Sequence, residues 1–217
     1  MKVIAVNGGP RKNWNTDTLL QKALEGTKSV GAQTEVIHLY DLNFKGCISC
    51  FACKRKNAKH AGHCAMQDDL TSVLDKISEA DVILLGSPIY FGNVTGVIRS
   101  FLERLLFPKL SYNQGHPSIF QGKISSGFIY TMNVPEEFMK QVNYEAVFQH
   151  NKDLLQRLKG TSEYIISTDT YQFDDYSKYD ASMFDEKHKS QVKAELFPID
   201  CQKAFDMGVR LASANRS

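Results

Sequence analysis

The sequence predicts an α/β sandwich, in which a five-stranded parallel sheet carries helices on both faces. Short apolar runs of strand length alternate with segments of helical periodicity along the chain. No linker, repeat or low-complexity tract interrupts this alternation, and 217 residues suit one domain. Because alternating strands and helices are typical of a parallel sheet covered on both faces, we expect a single domain over residues 1–217.

The predicted elements follow in order from the N-terminus. The first strand leads through a Gly/Pro/Asn turn into a helix with Leu19, Leu20, Ala23 and Leu24 on one face. The apolar runs that predict strands are residues 2–7, 34–39, 81–86, 123–131 and 162–168. Further helices are predicted over 68–79, 94–106, 135–159 and about 187–214, the last with a break or restart at Pro198.

Five strands in this arrangement fit the flavodoxin-like order 2-1-3-4-5. In such a sheet, ligands bind beyond the carboxyl ends of the strands, where the order reverses. The loops that follow strands one, three and four are therefore the candidate binding loops. A cysteine-rich loop at 46–66 and a C-terminal helical extension from about 171 complete the expected domain.

Composition and charge exclude several classes of function. The chain has 26 basic and 24 acidic side chains, a near balance that argues against a nucleic-acid binder. No apolar stretch approaches the ~20 residues of a membrane span, and the N-terminal apolar run is too short for a signal-peptide core. We therefore expect no membrane association and a cytoplasmic location, where thiols stay reduced.

The first loop, "NGGPRKNWNTDT" at 7–18, leads into a helix that Asn15 or Thr16 is predicted to cap. A helix N-terminus favours an anion, and Arg11 and Lys12 add positive charge, so the loop suits a terminal monophosphate. A polar turn before a capped helix, with no ligand, is the alternative. The candidate binding residues here are Gly9, Pro10, Arg11, Asn13, Asn15, Thr16, Asp17 and Thr18.

The second loop, "GSPIYFGNVTG" at 86–96, presents apolar and aromatic bulk directly after the most hydrophobic strand. An aromatic pair offers a flat wall to a planar ring, and the loop N–H groups can face the polar edge of that ring. Ordinary packing under a neighbouring loop is the alternative for this loop and for the third, at 130–137. The candidate ring-binding residues are Pro88, Ile89, Tyr90, Phe91, Gly92, Asn93, Thr131, Met132 and Asn133.

Through about residue 133, the order "NGGPRKNWNT", "CISCFAC…GHCAMQDDL", "GSPIYFGNVTG" resembles the NADPH-dependent FMN reductase family, in particular its iron-sulfur flavoprotein branch. The resemblance implies that the first loop holds the FMN phosphate and the second the isoalloxazine. Two departures from the family pattern are Gly9, which loses a hydroxyl, and Trp14, which replaces a small residue. The phosphate site is therefore expected to depend more on Arg11, Asn15 and Thr16.

The resemblance implies an FMN-dependent oxidoreductase that takes hydride from NAD(P)H, a co-substrate, and passes electrons to a quinone, another small acceptor or a redox protein. Because the flavin carries the chemistry, no catalytic triad is expected, and Tyr90 is the candidate side chain at the reacting edge. The alternatives are an electron carrier without its own nicotinamide site and a metal-sensing protein. Apolar residues around the flavin edge predict a homodimer or larger assembly.

The cysteine-rich loop allows opposing interpretations. Cys47, Cys50 and Cys53 follow the C-x2-C-x2-C run that holds iron-sulfur clusters, and Cys64 is the candidate fourth ligand of a [4Fe-4S] cluster. His60, with the other His of this loop, keeps zinc as a further alternative. The ten-residue gap before Cys64 opposes the cluster. We predict no metal, with reduced, unligated thiols beside the flavin.

Overall fold

The computed structural model describes residues 1–56 and 59–214, and it confirms the predicted fold class. Helices cover both faces of a sheet whose strands are β1 (Lys2–Asn7), β2 (Gln33–His38), β3 (Val82–Tyr90), β4 (Asn93–Val94), β5 (Ile124–Thr131) and β6 (Lys159–Ser167). The sheet order is β2-β1-β3-β5-β6, and all four of these pairings are parallel. The five long strands therefore lie in the predicted order.

The end of β3 differs from the prediction. Pro88 was expected to end the strand near residue 86, yet it still pairs with Thr131 of β5. Proline is tolerated here because it lies where the parallel pairing ends and a missing N–H costs little. The chain then turns back at Phe91 and Gly92, and β4 pairs antiparallel with the end of β3.

The helices lie in the predicted regions, with one correction. They are α1 (Asn15–Ser29), α2 (Leu70–Ser78), α3 (Gly96–Leu106), α4 (Glu136–Gln141), α5 (Glu145–Leu155), α6 (Glu186–Glu195) and α7 (Phe197–Ser213). The single helix predicted over 135–159 is two helices, because Asn143 between them adopts a left-handed φ of 55°. Asparagine tolerates that conformation better than most residues, and the sequence period alone does not reveal it.

Two apolar cores lie on opposite faces of the sheet, because successive strand residues point to opposite sides. Ile4 and Ile83 belong to the core formed with α2, α3 and α5. Val3 and Val82 belong to the core formed with α1 and α7. Within the described ranges, no helix has both the length and the apolar composition needed to cross a membrane.

Candidate functional site

A cavity of about 350 Å³ lies beyond the carboxyl ends of β1, β3 and β5. This volume is typical of a small-molecule site. All three predicted loops contribute to its wall, because the ends of parallel strands meet at one edge of the sheet. The predicted residues that line it are Gly9, Pro10, Arg11, Asn15, Thr16, Pro88, Ile89, Tyr90, Thr131, Met132 and Asn133.

A buried carboxylate organises the first loop. Asp17 accepts hydrogen bonds from the backbone N–H of Asn13 at 2.7 Å and from the side-chain amide of Asn7 at 3.0 Å. Asn7 in turn accepts the N–H of Gly9 at 2.7 Å. Of the predicted ligands in this loop, Asn13, Asp17 and Thr18 are therefore outside the cavity wall, and Asp17 supports the loop from behind.

The predicted cap of α1 was wrong. The helix begins at Asn15, and Trp14 occupies the N-cap position without a side-chain hydrogen bond to the first turn. The Asn15 amide instead donates to the backbone oxygen of Tyr171 at 2.8 Å, and the Thr16 hydroxyl bonds the Thr131 hydroxyl at 2.7 Å. A buried helix start without a side-chain cap suits an anionic ligand, whose oxygens satisfy the first-turn N–H groups.

Arg11 and Trp14 form the wall beside this helix start. The Arg11 guanidinium lies 4.6 Å from the Trp14 ring centroid, a cation–π contact, and donates to the backbone oxygen of Gln172 at 2.6 Å. Lys12 lies outside the cavity wall, because it pairs with Asp41 on the surface at 2.6 Å. Arg11 is therefore the cationic side chain at this end of the cavity.

Two buried polar atoms in the cavity-lining residues have no hydrogen-bond partner among the described residues. They are Nε1 of Trp14, a donor, and Oδ1 of Asn133, an acceptor. An unsatisfied buried polar group costs about 1–3 kcal/mol, so such atoms mark places where a ligand completes the bonding. Trp14 was not predicted to line the cavity. Its large side chain within the first loop was the signal that could have indicated it.

The second loop divides into a cavity part and an exposed tip. Pro88, Ile89 and Tyr90 line the cavity, with Tyr90 47% exposed at its mouth. Phe91 is fully exposed, and Gly92 adopts a left-handed φ of 78° that lets the chain reverse. The predicted ligands Phe91, Gly92 and Asn93 therefore lie outside the cavity wall, and the Asn93 side chain accepts the N–H of Val94.

A fourth wall of the cavity comes from the segment after β6, outside the three candidate binding loops. Thr170, Gln172 and Phe173, which follow β6, also line the cavity. The N–H of Thr170 donates to the Met132 backbone oxygen at 3.0 Å, and this fixes the segment against the third loop. The available signal was that β6 ends at the same edge of the sheet as the three strands that were considered.

A buried ion pair holds the third and fourth walls together. Lys189 is almost fully buried, and it donates to the backbone oxygen of Asn133 at 2.6 Å and to the carboxylate of Asp169. His188 contacts the same carboxylate at 2.6 Å. Burial opposes ionisation of Asp169, but the hydrogen bonds from Lys189 and His188 outweigh it and lower its pKa. The Asp169 carboxylate is thus held ionised beneath the cavity wall.

The four cysteines of the 46–66 loop meet around a second, much smaller cavity of about 10 Å³. Cys53 is buried, Cys47 and Cys64 are half-buried, Cys50 is exposed, and all are free thiols. Burial raises the pKa of the Cys53 thiol. In the described part of the chain, no three Cys, His, Asp or Glu residues form a preformed metal site. Cluster binding by these thiols therefore stays a hypothesis.

Arg104 fixes both ends of the cysteine-rich loop. Its buried guanidinium donates to both carboxylate oxygens of Asp68, at 2.8 and 3.1 Å, and to the backbone oxygen of Lys45 at 2.9 Å. Its Nε also points at the Cys64 sulfur from 2.9 Å. Hydrogen bonds from Arg104 lower the pKa of Asp68. One side chain thus ties the residues before Cys47 to those after Cys64.

A parallel sheet of this order, with an anion-suited helix start and an apolar wall at the switch point, defines a flavodoxin-like protein. The NADPH-dependent FMN reductase family matches residues 1–134. The chain belongs to that family.

The sequence is similar to several iron-sulfur flavoproteins. The chain is 38% identical over 127 residues to an iron-sulfur flavoprotein of Archaeoglobus fulgidus, covering 58% of this chain and 60% of the relative. It is 40% identical over 104 residues to an iron-sulfur flavoprotein of Methanocaldococcus jannaschii, covering 48% of this chain and 51% of the relative. These matches thus span only about half to three fifths of each relative.

Solved structures share the fold over nearly the whole chain. An NAD(P)H:quinone oxidoreductase from Methanothermobacter marburgensis superposes with a TM-score of 0.71 at 15% identity, covering 97% of this chain and 96% of that one. An azoreductase from Bacillus anthracis superposes with a TM-score of 0.68 at 12% identity, covering 96% and 99%. At such identities the likeness extends to the fold alone.

Proposed function

We propose that this chain is a cytoplasmic FMN-dependent oxidoreductase that takes hydride from NAD(P)H and passes electrons to a quinone or another small acceptor. One observation carries the proposal. A single cavity joins an uncapped helix start and Arg11 at one end to the Pro88–Tyr90 wall at the other. A phosphate suits the first end and a planar ring suits the second, which together describe FMN.

The cavity residues fit the cofactor chemically. Arg11, Asn15 and Thr16 offer a cation, an amide and a hydroxyl to a phosphate. The unpaired Trp14 Nε1 and Asn133 Oδ1 offer one donor and one acceptor to the polar groups of the flavin. FMN, when bound, supplies the electron transfer itself. The chain's own residues bind it, orient it and limit the access of water to it.

Tyr90 is the proposed side chain at the reacting edge. It lies at the cavity mouth and is about half exposed, so its hydroxyl is accessible to an incoming substrate. We expect Tyr90→Phe to lower kcat by about 100-fold or more if the hydroxyl transfers a proton. Tyr112→Phe, on an exposed tyrosine outside the cavity, is the matched control. An unchanged kcat in Tyr90→Phe would assign Tyr90 a packing role only.

Steady-state consumption of NADH and NADPH with a soluble quinone tests the whole proposal. The protein is first reconstituted with FMN, and the bound flavin is measured from its visible absorption. We expect one FMN per chain and turnover that depends on the quinone. Failure to retain flavin would overturn the proposal, whereas bound flavin without NAD(P)H oxidation would favour the second candidate.

The second candidate is an iron-sulfur electron carrier without its own nicotinamide site. The observation that favours it is that Cys47, Cys50, Cys53 and Cys64 all line the same small cavity. The relatives named iron-sulfur flavoproteins support the same candidate. Its test is iron and acid-labile sulfide analysis after anaerobic purification, with about four of each per chain expected for a [4Fe-4S] cluster. Cys50→Ser should lose them, whereas Cys201→Ser, outside the loop, should retain them.

A further inference from the structure

Residues 170–179 form a strap across one end of the cavity. Thr170, Gln172 and Phe173 face the cavity, although the strap is more than 150 positions from the first loop in sequence. The segment begins at Thr170, whose N–H and hydroxyl both bond the Met132 backbone oxygen. The strap is thus an integral wall of the site.

The strap lies over the side chains that are proposed to hold the phosphate. Arg11 donates to the backbone oxygen of Gln172 at 2.6 Å, and Asn15 donates to that of Tyr171 at 2.8 Å. Each bond uses one N–H, whereas Arg11 has five and Asn15 has two, so both side chains retain at least one donor for a phosphate. A phosphate and the strap can therefore share Arg11 and Asn15.

The strap also has its own packed interior. Phe173 stacks on Tyr179 with ring centroids 4.2 Å apart and contacts Tyr176 edge to face at 5.0 Å. Tyr176 is buried, and its hydroxyl accepts the N–H of Gln172 at 3.1 Å. Because Gln172 and Phe173 are held by these contacts, the strap is expected to resist displacement by a ligand.

We propose that the strap determines flavin specificity by closing the cavity at the phosphate end, which selects FMN over FAD. The inference rests on the proposed FMN site. In FAD, an adenylate is attached to the phosphate that FMN leaves as a terminus. With the phosphate held by Arg11 and Asn15, the adenylate would enter the space bordered by the backbone of Tyr171 and Gln172, which already accepts hydrogen bonds from both side chains. FAD binding therefore requires displacement of the strap, and FMN binding does not.

The expected selectivity follows from the contacts that FAD has to break. One is a charge-assisted hydrogen bond from Arg11 and the other is a neutral one from Asn15. Loss of such a pair lowers affinity on the order of 100-fold. We expect the wild-type chain to bind FMN tighter than FAD by at least that ratio.

Dissociation constants for FMN, FAD and riboflavin test this inference without any assay of activity. Trp14 is the chain's single tryptophan and lines the cavity, so quenching of its emission reports all three ligands. In the main variant, residues 171–179 are replaced by a Gly/Ser segment of equal length. Phe173→Ala and Tyr176→Phe are milder variants that leave the backbone in place. Met183→Ala is the control, because Met183 is exposed and outside the cavity.

The FMN-to-FAD ratio of dissociation constants is the deciding quantity. The Gly/Ser variant should reduce the selectivity for FMN to about tenfold or less, and Tyr176→Phe should reduce it by about 2- to 10-fold through loss of one hydrogen bond. Met183→Ala should leave it unchanged.

Equal affinity of the wild type for FMN and FAD would overturn the inference. So would an unchanged ratio in the Gly/Ser variant or, if that variant fails to fold, in both point variants. Failure of all three flavins to bind the wild type would instead overturn the proposed FMN site.

Discussion

Arg11 illustrates how one residue acquires its role from its surroundings. The loop contains two neighbouring cations, but Lys12 is paired with Asp41 on the surface, whereas Arg11 lines the cavity. The Trp14 ring beneath the guanidinium and the Gln172 oxygen beside it restrict its position. A cation that is already positioned loses less side-chain entropy when it binds an anion.

We predict that Arg11→Ala weakens FMN binding by about 1.5–3 kcal/mol, through loss of a charge-assisted hydrogen bond to phosphate. Riboflavin, which has no phosphate, should bind equally to both forms. Lys12→Ala is the matched control and should leave both affinities unchanged. The measurement is a flavin titration. Equal loss of FMN and riboflavin affinity would instead indicate that Arg11 supports the shape of the cavity.

Arg104 and Asp68 form a buried ion pair that is expected to stabilise the fold. Arg104 is fully buried and Asp68 mostly so, and breaking a buried pair at one partner costs about 3–5 kcal/mol. We predict a loss of this size in the free energy of unfolding of Arg104→Met at pH 7. Asp68→Asn in the same chain should recover part of it, because no uncompensated carboxylate then remains. An Arg104→Met variant as stable as the wild type would contradict the prediction.

The stability that the Arg104–Asp68 pair contributes should fall as the pH is lowered. The pKa of Asp68 is lower in the folded chain than its usual value of about 3.9 in an unfolded one. Its contribution to stability is therefore present above about pH 4 and is lost as the pH falls through the lower folded pKa. Denaturant unfolding between pH 7 and pH 3 should show this loss in the wild type, and the Arg104→Met/Asp68→Asn double variant should lack that component.

At the scale of elements, α1 and α7 approach each other closely on one face of the sheet. A Cβ at Gly208 would lie 2.0 Å from the backbone oxygen of Ala23, and one at Gly26 would lie 2.0 Å from that of Phe205. Backbone oxygens of two packed helices move only with the whole helix. Glycine at both positions therefore allows the close spacing of α1 and α7.

We predict that Gly208→Ala destabilises the chain by about 1–3 kcal/mol or more, because the added methyl overpacks the helix interface. Gly96→Ala is the matched control. Gly96 also lies in a helix, but a Cβ there meets nothing within 4 Å, so the change should stay within about 0.5 kcal/mol. Denaturant midpoints compare the two. A Gly208→Ala variant as stable as Gly96→Ala would show that the helices separate without cost.

At the scale of the whole molecule, apolar side chains remain exposed near the cavity mouth and the strap. Phe91 is fully exposed at the tip of the β3–β4 turn, and Tyr90, Tyr179 and Met183 are also exposed. Exposed apolar side chains of this size are often found at protein interfaces. We propose that they contribute to the interface of a homodimer.

Light scattering at micromolar concentration tests the assembly, and we predict twice the mass of one chain. Phe91→Asp should shift the protein toward monomer, because it places a charge in the apolar interface. Tyr112→Asp, on an exposed aromatic of another loop, is the control and should leave the mass unchanged. A monomeric wild type would contradict the prediction.

The sequence alone determined the sheet, its order and three of the four cavity walls. Strand and helix periods are local properties, and in a parallel sheet the ends of neighbouring strands necessarily meet. The contribution of Arg11, Tyr90 and Thr131 to one cavity therefore followed from motif and topology.

Only the tertiary structure revealed the contacts between residues that are distant in sequence. The strap contacts Arg11 from 161 positions away in sequence, and Arg104 contacts Cys64 from 40 positions away. Asn15 lies in the first turn of α1 rather than at its cap, and its amide donates to the Tyr171 carbonyl, 156 positions away. Such partners compete with local hydrogen bonds only once the core has placed them side by side, so no local pattern reveals them.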